Sequence, residues 1–271
     1  MSDKGHDGTL PAGGGILARE DGSSIAYNRV QGKGPGIVFV HGFHSDMEGT
    51  KALVLERMCQ ARGLAFVRFD LFGHGKSSGA VEDGCVSRWA DDVLAVVDTL
   101  TTGPQILVGS SLGGWLVLLA ALQRPSRVAA LVGIAAAPDF TEDLMWAEFT
   151  PDQRRDLIEK GFVTLENCYE PENPWKIPRL LIEDGRNNLL LVDTINLACP
   201  VRLIQGQKDE DVPWQTALKI ADQVASDDVE VVLIKDGGHR LSRDQDLARI
   251  VTLVEGAVAA IETPAAPPVS P

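Results

Sequence analysis

The run Gln105-Ile-Leu-Val-Gly-Ser-Ser-Leu-Gly-Gly-Trp115 constrains the fold of this chain more than any other stretch. An apolar strand pattern leads into Gly109-Ser110-Ser111-Leu112-Gly113, and a helical pattern continues through Ala121. G-x-S-x-G between a strand and a helix predicts a sharp, strained turn that lifts the Ser111 hydroxyl above a sheet. The positions two before and two after that serine must be tiny, because strand and helix pass close together. Centring the turn on Ser110 would place Val108 and Leu112 there, so the register falls on Ser111. The competing reading is an ordinary helix start capped by Ser110 or Ser111.

On either side of the turn, short β-branched runs alternate with amphipathic helical patterns. Strands are expected at Ser24–Val30, Gly36–Val40, Ala65–Phe69, Gln105–Val108, Ala129–Ile134, Val201–Ile204 and Glu230–Ile234. Several are almost continuously apolar, as parallel strands covered on both faces must be. Trp89, Val93, Val96, Val97 and Leu100 recur at helical spacing, as do Trp214, Ala217, Leu218, Ala221 and Val224. Leu247, Ile250, Val251, Val254, Val258 and Ile261 form a third apolar face. The expected fold class is therefore α/β: a doubly wound, mostly parallel sheet over residues 16–262. Between 138 and 198 the alternation gives way to two helical patterns and several prolines. That stretch is too long for a plain loop and predicts a small cap insertion. Gly-rich residues 1–15 are expected to be flexible, and the Pro-rich tail 263–271 disordered.

Composition narrows the partners. A formal net charge of −13 repels phosphate backbones and anionic headgroups, so neither nucleic acid nor a membrane surface is expected to bind. No apolar run is long enough to cross a bilayer, so no membrane insertion is expected. Residues 1–15 show no basic start and no apolar core of a leader, which gives a cytoplasmic expectation. The cysteines, Cys59, Cys85, Cys168 and Cys199, form no C-x-x-C pair. They read as small buried thiols, with a disulfide left open.

A serine hydroxyl is a weak nucleophile until a base takes its proton and an acid orients that base. His239 follows the last strand behind Gly237 and Gly238, where the turn can bring an imidazole over the sheet edge. His6 lies in the tail, and His41, His44 and His74 all precede the serine. Asp209 stands after the strand ending at Ile204, with Gly206 three positions before it and Val212-Pro213 after it. Asp211 and Glu210 are its close rivals for the acid. His41 and His44 have no acidic or Cys partner at ligand spacing, so no metal is expected. Gly75-Lys76-Ser77 imitates the end of a P-loop, but Asp70 stands where that motif needs its first glycine. No organic cofactor is expected either.

Three stretches carry a family resemblance: Gly49-Thr-Lys-Ala52, Gly103 through Leu116, and Asp211-Val-Pro-Trp214. They resemble the mitochondrial palmitoyl-protein thioesterases of the α/β-hydrolase-domain family, also known for hydrolysing acyl glucuronides. The likeness runs from about Ser24 to Ala259, is weak in the 138–198 insertion, and does not extend to a transit peptide. It implies an α/β-hydrolase fold with nucleophile, acid and base on Ser111, Asp209 and His239. It also implies an H-G-x turn at His41-Gly42-Phe43, so that the Phe43 and Leu112 amides form an oxyanion hole. Asp70 through Ser77 then matches the D-x-x-G-x-G-x-S turn, whose role is shape. The implied activity is hydrolysis of acyl esters or thioesters through an acyl-enzyme. Its substrate would be an acylated small molecule or an S-acylated protein. Two other readings stand beside it: a short-chain carboxylesterase of broad specificity, and a catalytically dead binding module of the same fold.

Overall fold

The computed structural model describes residues 12–166, 172 and 174–262. Its main sheet contains β1 (Gly13–Ala18), β2 (Ser24–Val30), β3 (Lys33–Val40), β4 (Leu64–Phe69), β5 (Gln105–Ser110), β6 (Val128–Ile134), β9 (Val201–Gly206) and β10 (Val229–Ile234). Their spatial order is β1-β2-β4-β3-β5-β6-β9-β10. The pairings β1–β2 and β2–β4 are antiparallel and the others are parallel. From β3 the chain moves outward to β4, then returns to place β5 on the other side of β3. The strand order therefore reverses between β3 and β5, where open α/β sheets collect ligands beyond their carboxyl ends.

Alternation along the central strands feeds two cores. Ile37 and Phe39 of β3 and Ile106 and Val108 of β5 pack on one face with α1 (Thr50–Arg62) and α7 (Asp244–Glu262). Val38, Val40 and Leu107 point to the other face, under α2 (Val86–Leu100), α3 (Leu112–Gln123) and α6 (Gln215–Gln223). Trp89 of α2 and Trp115 of α3 are the largest fully buried side chains there. Every residue of α3 from Leu112 to Ala121 is buried, which explains why its sequence is apolar on all sides.

Between β6 and β9 the chain forms a π-helical turn (Thr141–Trp146), α4 (Pro151–Lys160), the antiparallel pair β7 (Phe162–Leu165) and β8 (Trp175–Pro178), and α5 (Arg179–Arg186). Thr150 and Gln153 make a capping box at the start of α4, with Pro151 as its first residue. Asp139, fully buried, accepts from the amides of Leu190 and Leu191 and so ties the two ends of this segment together.

The N-terminal expectation needs correction: Gly13–Gly15, placed in the flexible region, belong to β1 and pair with β2 from Gly13↔Arg29 to Ala18↔Ser24. A backbone ladder needs no apolar side chains, so three glycines concealed an edge strand. Residues 1–11 and the tail 263–271 lie outside the described residues. Cys59, Cys85 and Cys199 are free thiols, and Cys168 also lies outside the described residues. Among the described residues no helix is long and apolar enough to cross a membrane.

Candidate active site

Ser111 joins β5 to α3 with φ 55° and ψ −120°, a conformation that a residue with a side chain rarely adopts. Such strain, of order 1–3 kcal/mol, persists where neighbours over-determine it. The Ser111 amide donates to Ile134 O at 2.9 Å, and its carbonyl accepts from Gly114 N at 2.8 Å and Ala137 N at 3.1 Å. A Cβ on Gly109 would lie 2.2 Å from Gly113 O, so the close strand–helix crossing expected at this turn is present.

His239 and Asp209 arrive from loops after β10 and β9. His239 Nε2 lies 3.0 Å from Ser111 Oγ, and His239 Nδ1 lies 2.8 Å from Asp209 Oδ2. The Asp209 side chain is fully buried, that of His239 partly so. Asp209 Oδ1 accepts from the amides of Asp211 at 2.9 Å and Val212 at 2.8 Å, while Gln205 Nε2 donates to Oδ2 at 2.7 Å. Because Oδ2 accepts, Nδ1 carries the proton and Nε2 faces Ser111 as an acceptor. Such a chain can draw the proton from a serine hydroxyl as it attacks an electrophilic carbon. Asp211 is exposed, and it is the amide of Asp211, not its side chain, that bonds Asp209.

The loop after β3 flanks this turn. A Cβ on Gly42 would lie 3.7 Å from Ser111 Oγ, which puts the backbone leading to Phe43 against the serine. Leu112 is the first residue of α3, where amides lack intrahelical acceptors. Both expected donors thus belong to backbone around Ser111. His41 is buried, with Nδ1 donating to Gly42 O at 2.8 Å and Nε2 accepting from Leu71 N at 3.2 Å. Burial keeps it neutral by lowering its pKa. Burial together with the neighbouring His41 and His44 pulls His74 down to about 3. His44 stacks on Trp175 of β8, centroids 5.1 Å apart at 5°, and thereby joins this loop to the β6–β9 segment.

The D-x-x-G-x-G-x-S turn shapes the same region. Asp70 accepts from the Met47 and Lys76 amides, and Ser77 Oγ donates to Asp70 O. Ligand atoms of Asp209, Asp211 and His239 lie within 4.8 Å of one another, a spacing that can hold a metal. A cation there would take the place of His239's hydrogen bond to Ser111 or to Asp209.

Sequence reasoning missed Gln205, whose signal was a polar residue following the apolar pair Leu203-Ile204 near the carboxyl end of a central strand. It also missed Lys51, whose Nζ donates to Arg240 O at 2.7 Å beside His239. No local spacing connects residues so far apart in the chain.

The α/β-hydrolase fold family model matches residues 35–170. The palmitoyl-protein thioesterase ABHD10, mitochondrial, of Bos taurus is 40% identical over 248 residues, covering 92% of this chain and 81% of its own. This chain belongs to the α/β-hydrolase family. The Mus musculus protein of the same name is 41% identical with 92% of this chain covered. The solved structure of mouse α/β-hydrolase domain-containing protein 10 superimposes with a TM-score of 0.86 at 40% identity, covering 92% of this chain and all (100%) of that one. A solved structure from Agrobacterium vitis S4 gives a TM-score of 0.87 at 38% identity, with the same coverage of 92% and 100%. The activity class follows coarsely: a hydrolase on the α/β-hydrolase scaffold. One expectation is overturned. The ABHD10 relatives are named mitochondrial, which points away from the cytoplasm; the composition of residues 1–15 was a weak guide to compartment.

Proposed function

We propose that this α/β-hydrolase cleaves acyl thioesters or acyl esters through an acyl-enzyme on Ser111. The carrying observation is the hydrogen-bonded chain from Ser111 Oγ through His239 to Asp209. Ser111 Oγ attacks the acyl carbonyl carbon as His239 Nε2 takes its proton, and the carbonyl electron pair moves onto oxygen. The Phe43 and Leu112 amides donate to that oxyanion; removing one such donor typically costs about 3 kcal/mol of transition-state stabilisation. Collapse breaks the bond to the thiolate or alkoxide, which leaves with the proton from His239. Water then repeats the cycle on the acyl-enzyme, releasing the acid. Asp209 remains ionised and holds the imidazolium in place.

Relatives named palmitoyl-protein thioesterase support an acylated substrate, either an S-acylated protein or an acylated small molecule. The test is an acyl-donor panel of thioesters and nitrophenyl esters of graded length, with fluorophosphonate labelling of wild type beside Ser111→Ala. Labelling lost in the variant, with long-chain thioesters turned over, is the expected result. A steep preference for acetyl to butyryl groups would indicate a short-chain carboxylesterase instead. An unlabelled wild type would favour a binding module.

A further inference from the structure

Gln205 sits at the carboxyl end of β9, entirely buried. A buried amide is costly unless hydrogen-bonded. Its Nε2 donates to Asp209 Oδ2 at 2.7 Å and to Val212 O at 3.3 Å. Val212 N in turn donates to Asp209 Oδ1 at 2.8 Å, so one amide group braces both the carboxylate and the loop that carries it. The other half of the amide is unsatisfied: Gln205 Oε1 is buried with no partner among the described residues. An unpaired buried acceptor calls for an explanation, because an apolar side chain of the same shape would avoid it. The flipped amide would set Oε1 against Oδ2, acceptor against acceptor, and remove both donations. An ionised Asp209 therefore selects the orientation seen.

We propose that Gln205 is a positioning residue, whose amide holds Asp209 Oδ2 where it orients His239 towards Ser111. The inference rests on the reading of Asp209 as the acid. Oδ2 also accepts from His239 Nδ1 at 2.8 Å, so its place sets the imidazole ring and hence the 3.0 Å contact of Nε2 with Ser111 Oγ. With the donor gone, Oδ2 is free to turn and its negative charge is less well stabilised. The imidazole then loses the fixed acceptor that aims Nε2 at Ser111 Oγ.

The readout is the rate at which a fluorophosphonate labels Ser111, measured against reagent concentration and pH, which needs no knowledge of the natural substrate. Gln205→Met preserves volume and removes the donor. It is expected to slow the bond-forming step about tenfold and to leave reagent affinity within about twofold. Gln205→Glu preserves shape and serves if the Met variant does not fold. As a protonated acid it still donates to Oδ2, so its rate is expected to fall with rising pH as that proton leaves. The titratable groups with an atom within 4.8 Å of the Asp209 carboxylate include His239 and Asp211, both unchanged in these variants. Asp209→Asn is run in parallel, alone and combined with Gln205→Met. If Gln205 acts through Asp209, the double variant is no slower than Asp209→Asn. Normal labelling of Asp209→Asn would sink the acid assignment itself. A slow Asp209→Asn beside folded Gln205 variants with wild-type rates would overturn this inference alone.

Discussion

A Cβ on Gly113 would lie 2.2 Å from the carbonyl oxygen of Val40, so the first turn of α3 presses directly on the backbone end of β3. That contact holds the serine-bearing turn and the Phe43 loop against each other. Backbone cannot yield as the end of a flexible side chain does. Gly113→Ala is expected to lose about 3 kcal/mol of stability and most of the Ser111 labelling. Chemical denaturation followed beside labelling checks both; a stable, fully labelled variant would mean that the two segments are not pinned.

The choice between Asp209 and Asp211 has a direct kinetic test. Asp209→Asn removes the carboxylate bonded to His239, and in a relay of this kind the rate falls on the order of a thousandfold or more. Asp211 contributes its amide to Asp209 and is exposed, so Asp211→Asn should retain activity within a few-fold. Equal losses in the two variants would refute the assignment.

His74 should make the fold sensitive to acid. Its Nδ1 donates to Phe72 O and its Nε2 accepts from His44 N, an arrangement that only the neutral ring satisfies. Its pKa falls from 6.5 to about 3, so between those values the unfolded chain binds a proton that the folded chain does not. Stability therefore rises with pH across this window, complete above the upper value and eroded as pH drops towards the lower. At about 1.4 kcal/mol per unit, the whole window is worth roughly 5 kcal/mol. Urea unfolding between about pH 7.5 and pH 5 should show a flatter dependence for His74→Gln than for wild type. Some slope will persist, since the His41 pKa is lowered by burial in the same direction. Parallel curves would exclude His74 as the source.

Lys51 ties α1 to the residue after His239. Burial, helped by the Arg240 charge, pulls its ammonium down to about 8. The unfolded chain holds this proton up to its ordinary 10.5, so wild-type stability should rise with pH through that window. Lys51→Met abolishes this rise and relieves a partly buried cation, leaving stability at neutral pH within about 1 kcal/mol of wild type. It also deletes the bond to Arg240 O, and Ser111 labelling should slow a few-fold through a looser His239 loop. Unchanged labelling would make Lys51 a purely structural residue.

Much of this architecture was legible in advance. The β2 span, Ser24–Val30, follows from its residue pattern, as do the carboxyl ends of β3, β4, β6 and β10. The central strands β3, β4 and β6 are buried along most of their length, and there burial dictates composition directly. Less visible were β1, an edge strand made of glycine and few apolar residues, and the β7–β8 pair, four residues each in a Pro-rich stretch. Both owe their existence to a partner strand, whose identity lies outside their own sequence.

Within the candidate site the same boundary holds. The sequence by itself determined that Ser111, not Ser110, occupies the turn, because Gly109 and Gly113 answer a steric demand made within five consecutive residues. It also determined the order of strand-end loops, and so which serine, acid and histidine were available to one another. Only the tertiary structure decided that His239 Nδ1 bonds the Asp209 carboxylate, and that Gln205 and Lys51 make hydrogen bonds beside it. Those choices turn on distances near 3 Å between polar groups up to 189 positions apart. A hydrogen bond distinguishes a carboxylate from its neighbour two residues away by the direction the loop points it, and that direction is set by packing, not by spacing.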